Sequence, residues 1–246
     1  LRPYGGSGAL ALNFSAFEDY YYHQGREWER YAMIKARIIA GDEVEGARLL
    51  DIIRPFVYRK YADFTSFQAL RDMKRMIMSE VHRKGGDQNI KLGQGGIREI
   101  EFIAQACQLI YGGRDASLQR PGLMPIFDII KAQGYLPAEW VDTLLDAYRF
   151  LRRMEHAIQG LADKQTQLIP DAEEDRERVA WSLSFSSWQD AEQVMHKHRA
   201  SVTGIFEDFL QDENEQGEGE GEADCWLNLW QGAASQAQWE VAFKNR

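Results

Sequence analysis

The chain has 246 residues, of which 44% are hydrophobic and 27% charged, the balance of a soluble globular protein with enough length for a sizeable core. No apolar run approaches the roughly 18 residues that a membrane span requires. Most of the net charge of −9 sits in one acidic stretch, and the nearly neutral body that remains argues against a broad basic surface for duplex nucleic acid.

The chain opens on Leu1, Arg2 and Pro3, without an initiator Met or the pattern of a secretory signal, so this start is expected to be a cut. Cys107 and Cys225 stand far apart in sequence and lack partners at metal-ligand spacing. Reduced thiols in a cytoplasmic setting are the expectation.

Residues 1 to 14, "LRPYGGSGALALNF", join a Gly-rich turn to alternating apolar residues, and this reads as the end of a sheet. From Ser15, an N-cap by its spacing to Glu18, apolar residues recur at helical spacing through Ile38, with Gly41 as a stop. One or two helices are expected there. Further helices are predicted over Glu43 to Tyr61, Phe64 to Lys84, Ile97 to Tyr111, Leu123 to Gln133, Ala138 to Leu161, Glu173 to Leu183 and Ser187 to Leu210. The stripe of Leu144, Leu145, Tyr148, Leu151, Met154 and Ile158 reads as a core face and fits antiparallel bundle packing. Seven acidic residues between Asp212 and Asp224 carry most of the net charge, in a Gly-Glu stretch with the composition of a solvated, flexible linker. Apolar residues resume at Cys225.

Two places hold chemistry. In "NIKLGQGGIREIEF", residues 89 to 102, a helix that starts at Ile97 would put the amides around Gly93, Gly95 and Gly96 at its N-terminus, where an anion is favoured and Lys91 adds charge. Arg98, Glu101, Gln105 and Gln108 then form one polar stripe, facing either a cleft or water. The plainer alternative is a tight turn with an Arg98–Glu101 surface pair and no ligand. The Lys precedes the glycines, so this is not a Walker loop. In "REWERYAMIKAR", Arg26, Arg30 and Arg37 fall on one helical face, either for phosphate or for ion pairs with Glu27 and Glu29, while Lys35 sits near Tyr31. The five histidines make no metal constellation, and "HKH" at 196 to 198 reads as a dipole partner near a helix C-terminus. No Ser or Cys has the setting of a nucleophile.

The blocks "LRPYGGSGALALNFSAFEDYYYHQGREWERYAMIKAR" and "NIKLGQGGIREIEFIAQ" resemble the bifunctional glutamine synthetase adenylyltransferase/adenylyl-removing enzymes, and the resemblance runs over nearly the whole chain. It implies a mostly α fold: a helical bundle after the truncated C-terminal end of an α/β nucleotidyltransferase-fold domain. The domains would be 1–42, the end of that catalytic domain; 43–210, the bundle; 211–224, the acidic linker; and 225–246, the start of a further helical segment.

The family attaches AMP to a tyrosine of glutamine synthetase with ATP and removes it by phosphorolysis to give ADP, under control of the PII signalling protein. This chain resembles the N-terminal, deadenylylating half, for which the uridylylated form of PII is the implied regulator. Mg²⁺ and ATP, ADP or phosphate are the implied ligands. The family's metal-binding carboxylates would lie upstream of Leu1, so this chain alone is expected to be inactive. The resemblance makes Lys91, Gly93, Gly95, Gly96 and Arg98 the expected contacts to nucleotide or phosphate. Arg2, Lys35 and Arg37 would be additional ones, and Glu99 and Glu101 anchors for basic groups. The alternative is a non-catalytic helical module that docks PII or glutamine synthetase.

Overall fold

A computed structural model describes residues 2–59, 86–161 and 165–211. The predicted helix over Phe64 to Lys84 and everything expected after Gln211 lie outside them. The described residues hold eight α-helices and no strand. They are α1 (Phe14–His23), α2 (Glu27–Met33), α3 (Glu43–Val57), α4 (Ile97–Tyr111), α5 (Leu123–Gln133), α6 (Ala138–Gly160), α7 (Glu173–Ser182) and α8 (Trp188–Gln211). The protein is mostly α, as expected. Residues through Phe206 form one compact unit, and a second unit starts at Glu207.

The expected end of a sheet does not take strand form. Gly5–Ser7 is a short 3₁₀ turn, and the Arg2 guanidinium folds back to donate to the Gly8 carbonyl from Nε at 3.0 Å. A strand needs a neighbour to take its backbone bonds, and no described segment offers one. The first helix also starts earlier than Ser15 implies. Asn13 is its N-cap, with the side-chain oxygen accepting from Ala16 N–H at 2.8 Å. The same local chemistry opens α3, where Asp42 accepts from the amides of Val44 and Glu45.

Helices α1, α2 and α3 pack around Tyr20, Tyr21 and Ile53, with Phe17, Met33, Leu50 and Phe56 against them. Glu29 is buried here because its carboxylate is fully used: both oxygens accept from Tyr20 O–H, at 2.9 and 3.1 Å, and one accepts from Arg26 N–H at 3.0 Å. Helices α1 and α2 both rest on α3.

Helix α4 is the centre of the second packing group. Ile97, Ile100, Phe102, Ile103, Ala106 and Leu109 are all buried, so the helix is covered nearly all round, by α5 and α6 among others. The predicted α6 stripe is core, with Leu144, Leu145, Leu151, Met154 and Ile158 buried. On α8, Ala191, Met195, Val202 and Phe206 keep the same register. Cys107 is fully buried on α4, and burial pushes its thiol up to about 12, the state of an inert core cysteine. No described helix is long and apolar enough to cross a membrane.

Two patterned expectations fail for a common reason. Arg26, Arg30 and Arg37 do not share a helical face, because α2 runs only from Glu27 to Met33, with Arg26 as its N-cap and Arg37 beyond its end. "HKH" lies in mid-helix, and His198 rests on Phe150 with ring centroids 4.9 Å apart. In both cases the spacing was right for a helix whose ends lay elsewhere.

Candidate functional site

The glycine turn begins at an isolated antiparallel bridge between Asn89 and Leu168. Ile90 N–H donates to the Gln167 carbonyl at 3.0 Å, and Ile169 N–H to the Gln88 carbonyl at 2.9 Å. The Asn89 side chain then accepts from the amides of Lys91 and Leu92, at 3.0 and 2.8 Å, and bends the chain at once. Lys91 comes out of this bend half-buried.

The amides of Gly93, Gly95, Gly96, Ile97 and Arg98 are occupied. Gly93 donates to Asn89, Gly96 to Gly93, Ile97 to Ile90 and Arg98 to Lys91, each to a carbonyl. Gly95 N–H donates to the Glu99 carboxylate at 3.0 Å, and Glu99 is only 4% exposed. The negative charge at the N-terminus of α4 is therefore the chain's own. Glu99 anchors the turn's backbone.

Why these positions are glycine is also plain. A Cβ on Gly95 would fall 2.2 Å from the Arg199 carbonyl oxygen, and one on Gly96 would meet the carbonyls of Gly93, Ile90 and Lys91 within 2.8 Å. Close backbone approach, from α8 on one side and within the turn on the other, excludes a side chain.

Along α4 the polar stripe divides. Gln105 and Gln108 are buried, and Gln108 donates to the Leu118 carbonyl at 2.7 Å, so this half of the stripe serves the core. The half nearest the turn opens outward. Glu101 accepts from Lys35 Nζ at 3.1 Å, a contact between residues 66 apart in sequence. Glu101 is thus an anchor for a basic group, and its described ion-pair partner is Lys35.

Two tyrosines complete this surface. Tyr31, on α2, stacks toward Phe102 with centroids 5.9 Å apart, and burial pushes its phenol well above the ordinary range. The Glu101 charge raises it further, and Arg98 partly opposes. Tyr148, on α6, is raised chiefly by burial, against Arg152 and with help from Glu101 and Glu155. Both phenols are therefore held in the protonated, neutral form beside the Glu101 charge.

The direct contacts here are Lys35 with Glu101 and Arg152 with the buried Glu155, and the Glu101 charge is felt by the phenols of Tyr31 and Tyr148. Cations and carboxylates alternate along this surface, and an anion would bind here by competing with Glu101 for Lys35. Arg2 closes the first turn, and Arg37 lines a groove of about 510 Å³ with Phe14, Phe17, Met33 and Ile53.

Sequence reasoning placed Tyr148 in the core stripe, and it missed Arg152, Glu155 and Arg199 altogether. The signal was available for two of them. Glu155 and Arg199 sit in register with core residues, between Leu151 and Ile158 on α6 and between Met195 and Val202 on α8. A charge at a core position needs a partner, and so marks a polar contact worth finding.

The resemblance has an independent counterpart. The family model described as GlnD PII-uridylyltransferase matches residues 71–210, more than half of the chain, and the chain belongs to that family. The model described as glutamate-ammonia ligase adenylyltransferase matches residues 1–52. Over 95% of its length the chain is 52% identical to the bifunctional glutamine synthetase adenylyltransferase/adenylyl-removing enzymes of Pseudomonas putida and Pseudomonas aeruginosa. Identity to the enzyme of the same name from Hahella chejuensis is also 52%, over 96% of the chain. The chain spans 24% of the length of each of these curated relatives.

Proposed function

We propose that this chain is the helical wall of an adenylyl-removing enzyme, which releases AMP from a tyrosine of glutamine synthetase by phosphorolysis to give ADP. The observation that carries the reading is the Lys35–Glu101 contact, 3.1 Å long, which joins the two sequence blocks that most resemble the family. In this reading the wall of Lys35, Arg98, Tyr31 and Tyr148 faces phosphate oxygens, with Lys91 at its edge. The glycines hold the turn.

Residues 1–42 are read as the end of the catalytic domain and 43–210 as the bundle packed on it. The setting is cytoplasmic and the regulator uridylylated PII. Among the described residues no group of three or more His, Cys, Asp or Glu is arranged to hold a metal. The described residues do not fit the Mg²⁺ that the resemblance implies. In this reading the metal-binding carboxylates are not among the described residues, and the chain alone is expected to be inert.

The test is phosphate-dependent ADP release from adenylylated glutamine synthetase, catalysed by the full-length enzyme. Lys91→Ala and Lys35→Met are expected to lower turnover at least about tenfold, with PII binding unchanged. Normal turnover with impaired PII binding would support a second reading. In that one the apolar groove beside Phe14, Ile38, Ile39 and Leu50 is a docking surface for PII or glutamine synthetase.

A further inference from the structure

Arg199 is buried at 6% exposure on α8, in a register otherwise filled by Ala191, Met195, Val202 and Phe206. An arginine in such a place is stabilised only by strong hydrogen bonds. Its Nε donates to the Gln94 carbonyl at 2.7 Å, across 105 residues of sequence. Gln94 is the one exposed residue of the Gly93–Gly96 turn. On either side of it, Gly93 lies against the Arg199 guanidinium and Gly95 against the Arg199 backbone, each too close for a Cβ. The turn is thus pressed from one side by α8 and tied at its tip by a single guanidinium.

We infer that Arg199 is a positioning residue for phosphate: it fixes the glycine turn on α8 and through that turn sets where Lys91 and Arg98 present their charges. The inference rests on the functional reading above. The linkage is short and covalently direct. Lys91 is two residues before Gly93, its carbonyl accepts from Arg98 N–H at 3.0 Å, and Arg98 follows Gly96 by two residues. A shift of the turn moves both cations together. Cations moved away from a bound anion lose binding energy in the ground state and the transition state alike, which appears as a higher KM with kcat little changed. None of this asks Arg199 to touch the substrate.

The experiment compares Arg199→Met and Arg199→Lys with Lys91→Ala in the full-length enzyme, with steady-state deadenylylation at varied phosphate and thermal melting of each variant. R199M is expected to raise the KM for phosphate about tenfold with kcat within about twofold. R199K keeps one cationic donor and is expected to recover part of that loss. In parallel, hydrogen exchange of the 246-residue chain itself is expected to show faster exchange at Gly95 to Arg98 in R199M. That readout does not depend on activity. A lower melting temperature in R199M with KM unchanged, or unaltered exchange at the turn, overturns the positioning role even if K91A is defective. If K91A and both Arg199 variants all turn over normally, the functional reading fails, and the inference fails with it.

Discussion

Gly95 has φ of +68°, the left-handed region, and a Cβ there would meet the Arg199 backbone oxygen at 2.2 Å. Two separate penalties fall on Gly95→Ala: the backbone strain of an L-residue in that region, and a clash with main chain that cannot rotate away. Together they are expected to cost about 3 kcal/mol in denaturant unfolding of the chain. A loss under about 1 kcal/mol would mean that α8 yields, and that the turn is looser than its contacts imply. The sequence showed that these glycines matter and not why. Three glycines before a helix have the same spacing whether they cradle a phosphate or admit a neighbouring helix. Only the position of Arg199, 104 residues after Gly95, separates the two.

At the scale of elements, His198 reports on how α6 and α8 meet. Its ring tilts over Phe150, and its pKa is held below the ordinary histidine value by burial first, with Asp146 opposing and Lys197 assisting. The folded state therefore disfavours the protonated ring. The unfolded chain binds the proton more readily, so stability is complete above the unfolded value of about 6.5 and falls as pH drops from there toward the lower folded value. His198→Phe keeps the aromatic contact and removes the titration. Its melting temperature is expected to change less than that of the parent between pH 7 and pH 5. Equal slopes for the two proteins would assign the acid sensitivity to other groups.

The helices themselves were legible. Ile97–Tyr111 and Leu123–Gln133 have the bounds that periodicity and flanking glycines predict, and α6, α7 and α8 differ only at their ends. Short α2 was harder to read, because apolar spacing continues past Met33 through Ile34 and Ile38 without a helix. The first turn takes no strand form here, because alternation alone cannot supply the partner strand that a β conformation needs.

For the molecule as a whole, the question is what ties the N-terminal helices to the packing group around α4. Two cations do so, in contrasting surroundings. Arg30 is 1% exposed and donates to the Val57 carbonyl at 2.8 Å, the Leu109 carbonyl at 3.2 Å and the Glu27 carboxylate at 3.1 Å. It joins α2 to the ends of α3 and α4. Lys35 joins nearly the same parts through Glu101, but its side chain is 60% exposed. Removing the buried guanidinium strands two carbonyls, so Arg30→Met is expected to cost about 3 kcal/mol. Breaking a solvent-screened pair costs little, and Lys35→Met is expected to stay within about 1 kcal/mol of the parent. Denaturant unfolding of both variants checks the contrast. If Lys35→Met proves as destabilising as Arg30→Met, the Lys35–Glu101 pair is a structural clasp, and the wall loses the contact on which its reading rests. If the contrast holds, Lys35 and Glu101 are kept side by side at the surface with little gain in stability, and a phosphate oxygen is then the natural competitor for that ammonium.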